Sequence, residues 1–542
     1  MLRKLYNKPI LSLSILLLLM LGLHLDVLPV SIMEARNFIT AREMITDGNW
    51  LLTTMNGEAR YQKPPLPSWI TAIFGLIFGI KNLVAFRFPA VLFVLITGVY
   101  VFLLSKRLTQ NKSQSFNTAL ISISSLYVIV IAFEAPSDIF THGFMLMGIY
   151  HLFVLFKDHT HYLKRSLLAG LFIGCSILSK GPVSFYVLLL PFLLAFGFSY
   201  RYRFSKKLLL SFLGSLLLAV IIGGSWYLYV RLEDPETLLA IAETETGNWT
   251  SYNVRPFYYY WSFFTQSGIW TIPAFVSLLY PYLKTRVSNL KAYKFSLYWT
   301  IFAVILLSVI PEKKSRYLMP VLIPLALNTG FYIEYLIRQF KTMRDKRETI
   351  PVYFHFGLIA VIALAIPVVV YLFLAEDLSG LWIWYVLLSV ASVSIGFVLL
   401  LQLKQKQIKT VFYLSILFFV SLLVFGLPLS EAIKSDNYKS IANLAEDMEA
   451  KQIPVYGYNS SPELLWQYGA KLLPLKDDTG FVFPKNNTLA LVATNLSETD
   501  RKSLEIVYTI EKIDRYDLNL PAPETRGYNN RLQAELFLLH RK

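Results

Sequence analysis

Long apolar runs separated by short basic loops recur along most of the chain, and this pattern constrains the fold more than any other feature. The runs lie near residues 10–25, 84–104, 116–133, 139–156, 166–179, 183–199, 208–230, 262–282, 295–311, 317–336, 352–374, 381–401 and 410–428. Each is close to the roughly 20 residues that a helix needs to cross a bilayer. A backbone in hydrocarbon finds no water, so its polar groups must bond within the segment, and runs of this length do so as helices. The fold class read from the pattern is a membrane all-α bundle of about thirteen transmembrane helices. No small-x-small cleavage site follows the first run, which therefore reads as an uncleaved span. Composition agrees. Only 16% of the 542 residues are charged and 55% are apolar, where an average soluble domain carries about 25% charge. So little charge excludes a large soluble enzyme, a disordered chain and a fibrous repeat.

The net charge is +16, from 51 Lys and Arg against 35 Asp and Glu. The cations sit in short clusters between apolar runs, the pattern of membrane-protein loops rather than of a nucleic-acid surface. Alternate loops carry Arg3/Lys4/Lys8, Lys106/Arg107/Lys112, Lys157/Lys164/Arg165, Arg201/Arg203/Lys206/Lys207, Lys284/Arg286/Lys291/Lys294, Arg338/Lys341/Arg344/Lys346/Arg347 and Lys404/Lys406/Lys409, whereas 134–138 and 375–380 carry none. The positive-inside rule puts the basic set and the N-terminus in the cytoplasm, and an odd number of spans puts the C-terminal segment outside. The single cysteine, Cys175, excludes a disulfide framework and a Cys-ligated zinc or iron–sulfur centre.

Residues 1–428 thus form the membrane domain, including an outward loop at 31–83, and 429–542 form a small soluble α/β domain. Within the latter, Ile453–Tyr458, Thr488–Thr494, Leu504–Ile510 and Glu535–Leu539 read as strands. Tyr438–Lys451, Pro462–Tyr468 and Glu498–Ser503 read as helices.

The outward loops hold the candidate chemistry. Met33–Ile45 has apolar residues at helical spacing and ends before Gly48, which predicts an amphipathic helix on the membrane surface. Glu34 in its first turn is either a carboxylate favoured by the helix dipole or a catalytic group. Arg36, Arg42 and Glu43 read as interfacial charges. Lys63 precedes Pro64 and Pro65, whose stiff backbone would hold an ammonium at one depth. Asp138 is an acid at membrane depth, and such groups are functional candidates. Lys180-Gly181-Pro182 breaks an apolar region, as cavity-lining segments do. Arg255 precedes the aromatic run Phe257-Tyr258-Tyr259-Tyr260-Trp261. Lys313, Lys314 and Arg316, followed by Tyr317, are cations on the outward side, against the charge rule, and point to an anionic partner such as a phosphate. Lys63, Lys180, Arg255, Lys313, Lys314 and Arg316 would hold that phosphate. Glu34 or Asp138 would orient or deprotonate an acceptor. The rings of Tyr61, Trp69, Tyr258, Tyr259 and Tyr317 would line the substrate path.

The same positions carry a resemblance. Met33-Glu34-Ala35-Arg36 through Ala41-Arg42-Glu43-Met44, with Asn56-Gly57 and Lys63-Pro64-Pro65, resembles the first outer loop of the aminoarabinose transferases that modify lipid A. It is similar also to the wider dolichyl-phosphate-mannose protein mannosyltransferase superfamily. Asp138, Lys180-Gly181-Pro182, Pro256-Phe257-Tyr258-Tyr259-Tyr260 and Arg316-Tyr317-Leu318-Met319-Pro320 follow in that family's order. The resemblance covers about the first 430 residues. It implies a C-type glycosyltransferase fold with a periplasmic domain, in a bacterial inner membrane. It also implies an undecaprenyl-phosphate-linked sugar donor, a lipid A-like lipid, protein or envelope glycan as acceptor, and no nucleic-acid partner. The chain departs from the pattern at three places. Met33 stands where the family has the first acid of an Asp-Glu pair, and Gln62 stands where the aminoarabinose transferases have Glu. Glu243-Thr244-Glu245 lacks the accompanying His. That family's metal rests on the Glu-His pair, so no metal is carried over. The function expected is transfer of a sugar from the lipid-linked donor, with transport of lipid-linked sugars as the alternative. Transporters place polar groups near the midplane within repeated halves. Here the ionisable residues gather at one interface.

Overall fold

The computed structural model describes residues 7–134, 136–203, 205–477 and 480–542. Arg3 and Lys4, counted above with the basic loops, lie outside them. The chain forms two compact units. The first comprises Met1–Leu25, Tyr61–Pro67 and Arg87–Pro428, the second Asp26–Arg60, Ser68–Phe86 and Leu429–Lys542.

The first unit is a helical membrane bundle. Among the described residues nine helices are long and apolar enough to cross a membrane, or ten if one bent pair is a single span. These account for the expected runs except three. The first run and 183–199 are helical but shorter, as Pro9–Gly22 and Phe185–Tyr200. The run at 262–282 is broken into Phe263–Trp270, Thr271–Ser277 and Tyr280–Leu283. Its break is at Gly268, which has φ 66°, and a Cβ there would lie 2.7 Å from the Cβ of Leu126. The bent pair is Lys112–Ile123 with Leu126–Glu134, at 46°. Its joint is Ser124-Ser125, whose hydroxyls turn back onto the carbonyls of Leu120 and Ile121 at 2.6 and 2.7 Å. Such back-bonding competes with the helix ladder and bends it.

Helices pack where side chains are small. Gly170 and Gly174 on Tyr162–Lys180 face Gly223 on Lys206–Glu233, and a Cβ at any of the three would approach the partner helix to 2.5–2.7 Å. Lipid gives no hydrophobic drive between helices, so close backbone approach supplies the contact instead. Helices Lys346–Leu374 and Trp382–Lys404 leave most of their apolar residues facing outward. The basic loops collect at one end. Lys157 Nζ donates to the carbonyl of Arg107 at 2.7 Å, Arg107 pairs with Asp158 at 3.1 Å, and Asn289 donates to the carbonyl of Leu108. The chain is a multi-pass membrane protein.

The second unit is built on a five-stranded sheet. Its order is Leu473–Pro474, Val455–Tyr458, Thr488–Ala493, Gln533–Arg541, Tyr508–Asp517, parallel across the first three and antiparallel across the rest. Thr488–Ala493 shows the period of two. Leu489, Leu491 and Ala493 enter one core with Tyr508 and Phe537. Ala490 and Val492 enter the other, with Phe38, Phe86, Leu464 and Trp466. Leu504–Val507, expected in a strand, belongs to the helix Glu498–Val507. Ser497 caps its start, Leu504 turns to the core, and the strand begins at Tyr508. The expected helix at 438–451 is confined to Leu444–Ala450.

The helix Ile32–Thr46 also differs from expectation. Residues Ala35 to Met44 are buried except Arg36, so it is an internal helix of the second unit and not a one-sided surface helix. Its charges are structural. Arg42 is 4% exposed and donates to the carbonyls of Leu465, Trp466 and Ala470 at 3.1–3.3 Å. Burial lowers its pKa. Glu43 accepts from Thr54 Oγ1, Asn56 N and Gly57 N at 2.5–3.2 Å. It thereby fixes the two-residue hairpin turn Asn56-Gly57, where both φ angles are positive as such turns require. Arg60 donates to the carbonyl of Arg36 at 2.8 Å, and burial with the Arg36 charge lowers its pKa to about 10. This helix and Ser68–Phe86 therefore pack with 429–542, so the loop at 31–83 is divided between the units.

Replacing Arg42 with Leu leaves three carbonyls without their donor. The expected cost is about 3 kcal/mol, read as a lowered Tm of the full chain and faster proteolysis within 429–542.

Candidate functional site

In the first unit, Lys180 is the last residue of the helix Tyr162–Lys180, closed by Gly181 at φ 72°. Asp138 is in the first turn of Pro136–Asp158. A cation at a helix C-terminus and an anion at an N-terminus are each favoured by the helix dipole. The Lys180 ammonium pairs with Asp138 Oδ1, the two side chains being 11% and 3% exposed. The second oxygen, Oδ2, is buried with no hydrogen-bond partner. One turn further along, His142 Nδ1 meets Ser184 Oγ at 2.6 Å.

Tyr317 joins this pair to the cations at 314 and 316. Its ring centroid lies 5.2 Å from Lys180 Nζ, 5.7 Å from Lys314 Nζ and 5.9 Å from Arg316 Cζ. Cations at these distances are attracted to the ring's quadrupole. Its hydroxyl donates to Glu312 at 3.2 Å, and Glu312 pairs with Lys314 at 2.6 Å.

Arg255, Lys313, Lys314, Arg316 and Tyr259 line one cavity of about 320 Å³, together with Tyr127, Glu134, Asn253 and Ser315. The lining holds four cations and one carboxylate, with Glu312 paired with Lys314 beside it, so the cavity favours an anion. Two short strand-like segments carry the cations. Val254 bridges Glu312, Arg255 N–H donates to the carbonyl of Pro311 at 3.2 Å, and Lys313 N–H donates to that of Asn253 at 3.1 Å. The Lys313 ammonium donates to the carbonyls of Ile310 at 2.5 Å and Arg255 at 3.1 Å, and burial lowers its pKa. Nε of Arg316 is buried without a hydrogen-bond partner. A second cavity, of about 370 Å³, lies at the opposite end of the helix Met319–Gln339. There Arg286 is already held by Glu348 at 2.8 Å.

The remaining candidates are not among the residues that line the cationic cavity. Lys63 is half-buried beside Tyr61, whose hydroxyl donates to Asp234 at 3.0 Å and whose pKa rises to about 12 through burial and that carboxylate. Tyr258 is 65% exposed. Trp69, in the second unit, donates to the carbonyl of Trp50 at 2.7 Å. Glu34, also in the second unit, is 1% exposed and completes a capping box with Ser31, accepting its N–H at 3.0 Å. Among the described residues no three His, Cys, Asp or Glu side chains gather as a metal site. The described residues thus offer no donor set that fits the metal implied by the resemblance. Glu312, Tyr260, Asn253 and His142 are not candidates from the sequence; Glu312 carries a signal as an acid inside a basic loop and Tyr260 as part of the aromatic run, and the other two carry none.

A family model described as dolichyl-phosphate-mannose-protein mannosyltransferase matches residues 62–227. Among curated proteins, an uncharacterised protein of Aquifex aeolicus is 29% identical over 54% of this chain and 57% of its own length. The undecaprenyl phosphate-alpha-4-amino-4-deoxy-L-arabinose arabinosyl transferase 2 of Proteus mirabilis is 26% identical over 61% and 60%. The chain thus spans less than two thirds of the length of these relatives. Among solved structures, ArnT from Cupriavidus metallidurans bound to undecaprenyl phosphate has TM-score 0.66 at 15% identity, covering 98% of this chain and 97% of that one. Its apo state has TM-score 0.67. Over part of its length the chain is similar in sequence to aminoarabinose transferases and to the dolichyl-phosphate-mannose-protein mannosyltransferase family model, and its fold is the C-type glycosyltransferase fold of ArnT.

Proposed function

We propose that the protein is a glycosyltransferase of the bacterial inner membrane. It transfers a sugar from an undecaprenyl-phosphate-linked donor to a lipid A-like lipid, a protein or an envelope glycan on the periplasmic side. The observation that carries this reading is the cavity in which Arg255, Lys314 and Arg316 face one carboxylate, beside the buried Asp138–Lys180 pair. Curated relatives named as undecaprenyl-phosphate aminoarabinose transferases support the donor class.

In this reaction an acceptor oxygen attacks the anomeric carbon, the bond from that carbon to the phosphate oxygen breaks, and the configuration inverts. The electron pair leaves on the polyprenyl phosphate. Its growing charge is the part of the transition state that fixed cations stabilise most. Arg255, Lys314 and Arg316 serve that role, with Lys63 and Lys180 as further phosphate-side cations. Tyr317 sets the spacing of three of the cations, and Tyr61 and Tyr259 offer ring faces to sugar or prenyl chain. A hydroxyl acceptor must lose its proton to a base. Glu34 is the first choice and Asp138, with its unpartnered Oδ2, the second. A phosphate acceptor is already anionic and needs no base. Transport is the weaker reading, because Asp138 and Lys180 stand at helix ends and not mid-span.

The primary test is intact-mass spectrometry of lipid A from cells with and without the gene. A sugar-sized mass lost on deletion establishes the lipid acceptor, and an unchanged spectrum from expressing cells turns the acceptor to protein or glycan. Arg316→Met is expected to lower kcat by about 10²–10³-fold in a reconstituted transfer assay, and wild-type rates would remove Arg316 from the phosphate site. Glu34→Gln keeps the shape of the capping box. Full activity of that variant on a hydroxyl acceptor excludes Glu34 as the base and leaves Asp138.

A further inference from the structure

Lys313 reads from sequence as one phosphate ligand among several, yet its ammonium is spent elsewhere. It is 4% exposed and donates to the carbonyls of Ile310 and Arg255. The same residue's N–H donates to the carbonyl of Asn253. Lys313 therefore grips the 253–255 segment twice, once from its backbone and once from its side chain. The next residue is gripped as well. The Tyr260 hydroxyl donates to the carbonyl of Lys314 at 3.1 Å and accepts from its N–H at 3.0 Å. Tyr260 is 1% exposed, so no water replaces it. One hydroxyl thus satisfies both main-chain polar groups of a single residue.

From this geometry we infer that Lys313 and Tyr260 are positioning residues that lock the two cation-bearing loops together. Lys313 sets Arg255 and Tyr260 sets Lys314. The inference rests on the reading of the cavity as a polyprenyl-phosphate site. It separates two classes of group within it: Arg255, Lys314 and Arg316 as the cations that meet the phosphate, Lys313 and Tyr260 as the frame. The frame is needed because the two cationic segments are 58 residues apart in the chain. Each presents a long side chain whose freedom must be limited before a phosphate can be held by both.

The test is a binding cycle with undecaprenyl phosphate and purified full-length protein in nanodiscs. Lys313→Met keeps the length of the side chain and removes its donors. It is expected to weaken binding about tenfold in the native background and by no more than about twofold in an Arg255→Ala background. Losses that multiply in the double variant would overturn the inference, whether because Lys313 touches the phosphate itself or because its loss destabilises the fold at large. Tyr260→Phe, which preserves packing, forms a second cycle with Lys314→Ala, with the same expectation and the same overturning result. Wild-type protein that binds no undecaprenyl phosphate overturns the donor reading and this inference together. Wild-type binding with multiplied losses overturns the inference alone.

Discussion

Charge inside hydrocarbon is tolerated only where something opposite meets it, and the membrane unit is arranged around one such meeting. Lys180 ends one helix and Asp138 begins another, so the macrodipole of each helix already favours the charge it carries. Pairing the two then offsets a desolvation cost that neither could meet alone. The Tyr317 ring extends the arrangement, because its negative face accepts cations without adding a further full charge. Two acids and three cations are thereby drawn to one end of the bundle, while the structural basic loops collect at the other.

The cavity beside that pair shows how a flexible kind of side chain is made definite. Arg255 and Lys314 lie on irregular segments, where backbone groups have no helical partners. They are held instead by a short antiparallel bridge, by the Lys313 ammonium and by the Tyr260 hydroxyl. A concentration of positive charge in one place is costly unless anions meet it, and Glu134 in the lining and Glu312 paired with Lys314 balance only part of it. The fold that carries the cavity is shared with a protein at 15% identity. That is physically reasonable, since lipid asks only for apolar helices of a given length and leaves their detailed sequence free to drift.

Much of this was legible in the residues. Most of the spans, the loop charges, the break at Lys180-Gly181-Pro182 and the cation cluster at 313–316 follow from hydropathy, charge and proline and glycine chemistry. The places where the reading failed have a common cause. Arg42 and Glu43 look like interfacial charges on a one-sided helix, but their partners are carbonyls at 465–470 and a turn at 54–57. The helix becomes internal because a segment more than 400 residues later covers it, as with Phe38 against Trp466 of the helix Pro462–Tyr468 at 5.2 Å. Periodicity within the helix carries no trace of that distant cover.

The sequence by itself determined that the chain is a polytopic helical membrane protein, where most of its long apolar helices lie, where the punctuation falls and where the loop charges cluster. Those properties are local, set by the hydropathy, backbone freedom and charge of neighbours in the chain. Tertiary structure decided what each charge is for. Asp138 and Lys180 became a pair, Lys313 became a clamp on backbone carbonyls, and Arg42 became the donor to three carbonyls at 465–470. Such roles depend on which polar group lies within about 3 Å once the chain is packed, and for Asp138 and Lys313 that group lies 42 or 58 residues away.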